Sequence, residues 1–216
     1  VTETNGGKRR TQAERSETTR NQLCEAALET LSELGYVKTS TQEISRRAKV
    51  SRGALTHHFA SRNELIIAAF EHLVTRWEAE WPFSLEGMVP HLSPEELIDV
   101  LWDKLFDTGR YVASLEMMLA ARIDDELGQG LRCVLDRWTS RRDRMIAQML
   151  SLPPEDPAVA RFVQINLSVM RGVAVHASFD SRPESQTLLL QDWKRMLRTI
   201  MENDPAFSPS LRATPE

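Results

Sequence analysis

From Arg20 the apolar positions fall on a helical period. Leu23, Ala27, Leu31 and Leu34 recur at spacings of four, four and three and share one face, which predicts a helix that Gly35 ends. The next start signal is Ser40-Thr41-Gln42-Glu43, a capping box in which Ser40 accepts from the Glu43 amide and the Glu43 carboxylate reaches back to the Ser40 amide. It opens a short helix over 41–48. After a break at Lys49 and Val50, Ser51 caps a second short helix to His58, with Phe59 as its apolar anchor. Two short helices joined by so tight a turn predict a helix-turn-helix.

A second box, Ser61-Arg62-Asn63-Glu64, starts a longer helix with Leu65, Ala68, Ala69, His72, Leu73 and Arg76 in register, ending near Trp81 because Pro82 cannot continue it. Beyond it the segments 94–107, 111–122, 124–150, 155–178 and 184–202 all carry apolar residues at i, i+3, i+4 spacing, and none alternates with period two. Punctuation sets their limits. Ser93-Pro94-Glu95-Glu96 is a helix start, Gly109 a stop and Leu152-Pro153-Pro154 a break, while Gly128-Gln129-Gly130 either interrupts a helix or only weakens it. The expected architecture is all-α. It comprises a mobile basic arm over 1–19, a helix-turn-helix domain over 20–62, a linking helix over 63–82, a helical body over 83–203 and an irregular tail over 204–216.

Composition fits one or two ordinary domains, with 41% hydrophobic and 27% charged residues among 216. Continuous apolar runs such as Leu188 to Leu190 are far shorter than the ~20 residues of a bilayer-spanning helix, so no membrane partner is expected. Cys24 and Cys133 stand alone without C-x-x-C spacing, which suggests neither a disulfide framework nor zinc and fits a reducing cytoplasm. The net charge of -4 hides an asymmetry. Residues 1–62 hold 11 Lys or Arg against 7 Asp or Glu, and residues 63–216 hold 16 against 24, a basic head on an acidic body.

A helix-turn-helix reads duplex DNA because its second helix fits the major groove while the first holds it against the phosphates. In Ser51 to Phe59, Leu55 and Phe59 lie four apart and point inward, which leaves Arg52, Gly53, Thr56 and His57 outside. Arg52 suits a guanine edge and Gly53 permits close approach. Ser40, Thr41, Ser51, Arg62 and the arm residues Lys8, Arg9 and Arg10 supply phosphate partners around that surface.

Segment 20–70 as a whole, with Ala26-Ala27-Leu28, Leu34-Gly35-Tyr36, Thr39-Ser40, Ile44, Ala48, Val50 to Leu55, His57-His58-Phe59 and Asn63-Glu64-Leu65, resembles the DNA-binding domain of the TetR family of transcriptional regulators. The resemblance implies an all-helical, homodimeric, usually repressing regulator whose divergent C-terminal domain binds a small molecule and dimerises. It further implies Thr39, His58 and Arg62 as phosphate contacts. Two positions depart from the pattern. Lys49 stands where the family usually has glycine and must accept a left-handed backbone, at a cost on the order of 1 kcal/mol. Thr56 stands where the family commonly has tyrosine.

Other chemistries find little support. His57 and His58 point about 100° apart on a helix and have no third ligand, so no metal is expected. No cofactor is expected either. No G-x-S-x-G, H-E-x-x-H, P-loop or dinucleotide fingerprint occurs, so the chain does not read as an enzyme. The cluster Arg122 to Glu126 reads as capping and solvation.

Candidate ligand contacts in the body are Trp102, Phe106, Tyr111, Met117, Met118, Trp138, Met170 and His176, with Arg122 as an anchor for an acidic group. The wide apolar faces of the last two helices are candidates for a two-fold interface: Val159, Phe162, Val163, Leu167, Met170, Val173 and Ala174 on one, Leu189, Trp193, Met196, Leu197 and Ile200 on the other. The resulting expectation is a homodimeric, ligand-responsive repressor that binds a palindromic operator in double-stranded DNA and is released by a small hydrophobic effector of unknown identity. A helical small-molecule-binding protein or enzyme with a merely structural N-terminal helix pair is the alternative. An activator or a ligand-independent repressor is a milder one.

Overall fold

The computed structural model describes residues 11–84, 89–106, 109–180 and 182–203. Among them there is no strand, so the fold is all-α. Lys8, Arg9, Arg10 and the tail over 204–216 lie outside the described residues.

Helix α1 (Gln12–Lys38) starts well before Arg20, inside the span expected to be a mobile arm. The cause is a capping box that the apolar stripe does not reveal: the Thr11 hydroxyl accepts from the Glu14 amide and Glu14 accepts from the Thr11 amide. Gly35 does mark a discontinuity, with φ 75° and ψ 171°, but the chain resumes helical bonding to Lys38. That conformation belongs almost only to glycine, and a Cβ there would lie 3.3 Å from the Glu116 carboxylate. Gly35→Ala is therefore expected to lower unfolding free energy by about 1–3 kcal/mol, measured by denaturant titration, and an unchanged midpoint would contradict this.

Helices α2 (Thr41–Ala48) and α3 (Arg52–His58) follow, with Lys49 between them in the left-handed conformation the sequence requires, φ 55°. Ser40, Ser51 and Ser61 each accept from the amide three residues on, as their spacing predicts. The glutamates do not close the boxes as expected. Glu43 instead takes Arg46 and Arg47, which hold its carboxyl down at about 2, and Glu64 accepts from the Ala60 amide.

Helix α4 (Arg62–Ala79) packs between α1 and the body. The body contains α5 (Pro94–Leu101), a π-helical turn over Trp102–Phe106, α6 (Gly109–Ala120), α7 (Asp125–Met149), α8 (Pro157–Ala177) and α9 (Pro183–Asn203). Gly109 begins α6 rather than stopping a helix; a Cβ there would lie 2.8 Å from the Ser32 hydroxyl, so α6 starts hard against α1. Gly128 and Gly130 leave α7 continuous.

Head and body share one core, running from Leu23, Leu31, Ile44, Leu55 and Phe59 through Leu65, Phe70 and Leu73 to Met117, Trp138 and Met170. By length and composition α8 would pass as a membrane-crossing helix, but its stripe Phe162, Val163, Leu167 and Met170 is buried in this core. Burial also pushes the Cys24 thiol up to about 11, which makes it an inert packing residue.

Candidate nucleic-acid interface and internal cavity

The head follows from two buried anchors. Leu55 and Phe59 fix α3 against the core, and the Arg20 guanidinium lies 4.6 Å from the centre of the Phe59 ring. With that face inward, Ser51, Arg52, Gly53, Thr56 and His57 are exposed together. A Cβ at Gly53 would meet no side chain or neighbouring element within 4 Å, so its surface is open to close approach. The Thr56 hydroxyl donates to the Gly53 carbonyl. Ser40 is exposed and Thr41 half-buried at the start of α2.

Two residues expected to touch phosphate are committed elsewhere. Thr39 is buried and donates to the Gly35 carbonyl at 2.8 Å. Arg62 donates from Nε to the Thr39 carbonyl at 2.7 Å and from Nη2 to the Tyr36 carbonyl at 2.6 Å, with its guanidinium 4.0 Å from the Tyr36 ring centre. Both secure the carbonyl end of α1, whose last groups need donors. His58 is half-buried, its ring between those of His57 and Phe59. The structure adds cations that the motif did not single out: Lys38 and Lys49 are exposed and, like Arg52, have no acidic partner among the described residues. Arg46 and Arg47, by contrast, are neutralised by Glu43 and Glu33.

Polar bridges tie head to body. Glu116 on α6 accepts from the Tyr36 amide at 2.8 Å, just past the Gly35 break. Glu25 on α1 takes His72, Arg76 and Arg110. Burial alone would raise its carboxyl; the bonds from His72 and Arg76 outweigh that and hold it below the usual range. Asp124 caps α7 by accepting from the Leu127 amide, and accepts also from Asn63 at the start of α4. The acidic cluster thus caps a helix, as its position predicts, and in addition pins the head.

Within the body a partly open cavity of about 100 Å³ is bordered by α4, the π-helical turn, α6, α7 and α8. Of the candidates, Phe106, Tyr111, Met118 and Trp138 line it together. Trp102 lines an adjoining hollow of about 180 Å³, with Phe106 common to both. The others fall elsewhere. Met117 and Met170 are sealed in the core, Arg122 is exposed at the α6–α7 corner, and His176 sits near the end of α8, 3.6 Å from Asp180. Sequence reasoning missed Phe70, Trp77, Arg142 and Arg171. Arg142 is 7% exposed and bonded to Asp143; Arg171 donates from Nε to the Tyr111 hydroxyl at 3.0 Å. Burial raises the Tyr111 phenol, opposed by Arg171.

The expected interface residues divide in two. Val159, Phe162, Val163, Met170 and Leu197 are buried within the single subunit and cannot face a partner. Leu189, Met196 and Ile200 are exposed and Trp193 half-buried, all on one face of α9. On α8 the exposed large apolar residues are Ile165 and Val175, with Gly172 exposed between them and Phe179 exposed just past the helix end, a stripe the sequence reading did not separate from the inner one.

The family model for bacterial regulatory proteins of the tetR family matches residues 23–69. The chain is 35% identical over 136 residues to the HTH-type transcriptional regulator CymR of Pseudomonas putida, a match spanning 60% of this chain and 64% of CymR, just under two thirds of its length. It is 31% identical over 181 residues to an uncharacterised HTH-type transcriptional regulator of Mycobacterium tuberculosis, covering 81% of this chain and 90% of that protein. Among solved structures, a putative transcriptional regulator from Saccharomonospora viridis in complex with choline superposes with a TM-score of 0.62 at 15% identity, over 87% of this chain and 97% of that one.

Proposed function

Because the chain belongs to the TetR family and is a transcriptional regulator, not an enzyme, we propose that it acts as a homodimeric, effector-responsive repressor of a palindromic operator. One observation carries the reading: α3 presents Arg52, Gly53, Thr56 and His57 to solvent in a single patch while Leu55 and Phe59 anchor it. Arg52 is assigned to a base edge, and Ser40, Thr41, Ser51, Lys38 and Lys49 to the backbone on either side. One head offers few base contacts, so selectivity requires two, held at a fixed spacing by the exposed stripes of α8 and α9. A cytoplasmic location follows from this role.

The cavity supports the effector part, as does a neighbour of the same fold that holds choline. Helix α6 connects the two sites. Tyr111, Ser114 and Met118 face the cavity, while Glu116 holds the Tyr36 amide beside the Gly35 break. A displacement of α6 by a bound molecule is passed to the end of α1 and, through Arg62, to the start of α4. The effector shifts the balance of head spacings by its differential affinity for the two states.

The test is binding of the purified protein to genomic fragments selected for retention, against scrambled duplexes of equal length, over a salt titration. The expected result is selective binding to a palindrome that weakens steeply as salt rises, with one or two dimers per site. Equal, weak binding to selected and scrambled DNA would reject the reading in favour of a structural helix pair.

A further inference from the structure

We propose that the body cavity is built for an organic anion, an aromatic ring bearing a carboxylate, with Arg171 and Arg142 holding the carboxylate. This rests on the reading of the body as an effector-binding domain. The walls supply the ring's environment: Trp77 and Trp138 stand 5.8 Å apart between centres, Phe106 and Tyr111 4.4 Å, and Phe70 joins them. At about 100 Å³ the space is about a third smaller than the roughly 150 Å³ that accepts benzene in a dry apolar cavity, so a ring enters it only as the walls move apart, on the side where the cavity is open. A longer body has room in the adjoining hollow behind Phe106.

Charge decides the class. Two arginines, from α7 and α8, are among the lining residues, and none of those residues is acidic. Asp143 answers one of them: it pairs with Arg142 at 2.7 Å and accepts from Gln164 with its other oxygen. Arg171 has no acidic partner among the described residues; its Nε meets the Tyr111 hydroxyl, which leaves its terminal nitrogens as donors. One positive charge is therefore in surplus beside a largely apolar space, where an unpaired charge is costly. A carboxylate removes the surplus and matches the planar fork of arginine. A cationic ligand would meet repulsion from the unpaired Arg171, and a neutral one would leave the surplus in place. The acid anchor expected at Arg122 falls instead on this pair.

The experiment titrates the full chain with benzoate, phenylacetate, 3-phenylpropionate and 2-naphthoate, each beside its amide and its amine analogue, by calorimetry and by the fluorescence of the wall tryptophans. At least one carboxylate is expected to bind saturably, with its amide and amine weaker by about ten-fold or more. Arg171→Gln, at a half-buried position, is expected to remove that preference while amide binding stays within about two-fold, and Arg171→Lys to restore part of it. Arg142→Gln, checked for fold by circular dichroism, serves as the second variant. Absence of carboxylate binding at millimolar concentration, equal or tighter binding of amides or amines, or indifference to Arg171→Gln would overturn the assignment. Its failure is distinguishable from failure of the repressor reading. A bound carboxylate that leaves operator affinity unchanged defeats effector release but not the anion site, whereas release by an amine defeats the anion site alone.

Discussion

Arg52→Ala is expected to weaken operator binding by about 1–3 kcal/mol per subunit, the range for loss of a bidentate contact to a base. In a two-headed complex both half-sites lose it, so the lower bound is roughly thirty-fold in affinity. Fold stability should stay within about 0.5 kcal/mol, because the side chain is exposed and has no acidic partner among the described residues. The comparison variant is Arg62→Ala, which removes two charge-assisted bonds to the carbonyls of Tyr36 and Thr39. It should lower unfolding free energy by ~1.5–3 kcal/mol or more and affect DNA binding through the head's integrity. Fluorescence anisotropy on operator and scrambled duplexes, with denaturant titration of each variant, separates the two roles. If Arg52→Ala reduces both duplexes equally and flattens the salt slope by about one, the residue touches phosphate and not a base. If affinity is unchanged, α3 is not the reading element.

The different fates of Arg52 and Arg62 show what the sequence could reveal. Both are basic residues beside a helix-turn-helix, and position in the motif, with the family resemblance for Arg62, assigned both to DNA. What separates them is which carbonyls the end of α1 leaves without a donor, and that depends on the Gly35 break. The helix-turn-helix itself was legible, since Ser40, Ser51, Leu55 and Phe59 act locally through caps and anchors. The early turns of α1 were not, because apolar periodicity is silent on a helix that is polar all round and starts from a capping box. The cavity was half legible. Spacing marks Phe106, Tyr111, Met118 and Trp138 as apolar positions of long helices, but whether a helix turns such a residue to a core or to a space depends on its neighbours' crossing. Arg142 and Arg171 were missed for the same reason: a cation amid apolar residues on a helix looks like its solvent face until α7 and α8 are packed.

The proposed two-fold interface shows the distinction most sharply and leads to the largest expected effect. Val159, Phe162 and Val163 belong to the same apolar helix as Ile165 and Val175, yet the first set is consumed by the subunit's own core. The outer face of α9 carries Leu189, Met196 and Ile200 at 42%, 55% and 43% exposure, with half-buried Trp193 in register between them. Gly172 on α8, where a Cβ would meet no side chain or neighbouring element within 4 Å, lets a second helix approach closely. Two such helix pairs related by a two-fold axis make a four-helix bundle.

Met196→Asp with Ile200→Asp places unpaired carboxylates in that bundle, and symmetry places each one twice. At about 3 kcal/mol or more for an uncompensated buried charge, the dissociation constant of the dimer should rise by more than roughly a hundred-fold. Monomer stability should change little, because both side chains are exposed in the single subunit. Sedimentation velocity at micromolar concentration is then expected to show a monomer for the variant and the proposed dimer for the parent. Operator affinity should fall by a further ~10²–10⁴, because each head must bind without its tethered partner. Binding to scrambled DNA should fall far less, since the cations of one head remain. A double variant that sediments as a dimer and still grips the operator would place the two-fold axis on another face and remove α8 and α9 from the assembly.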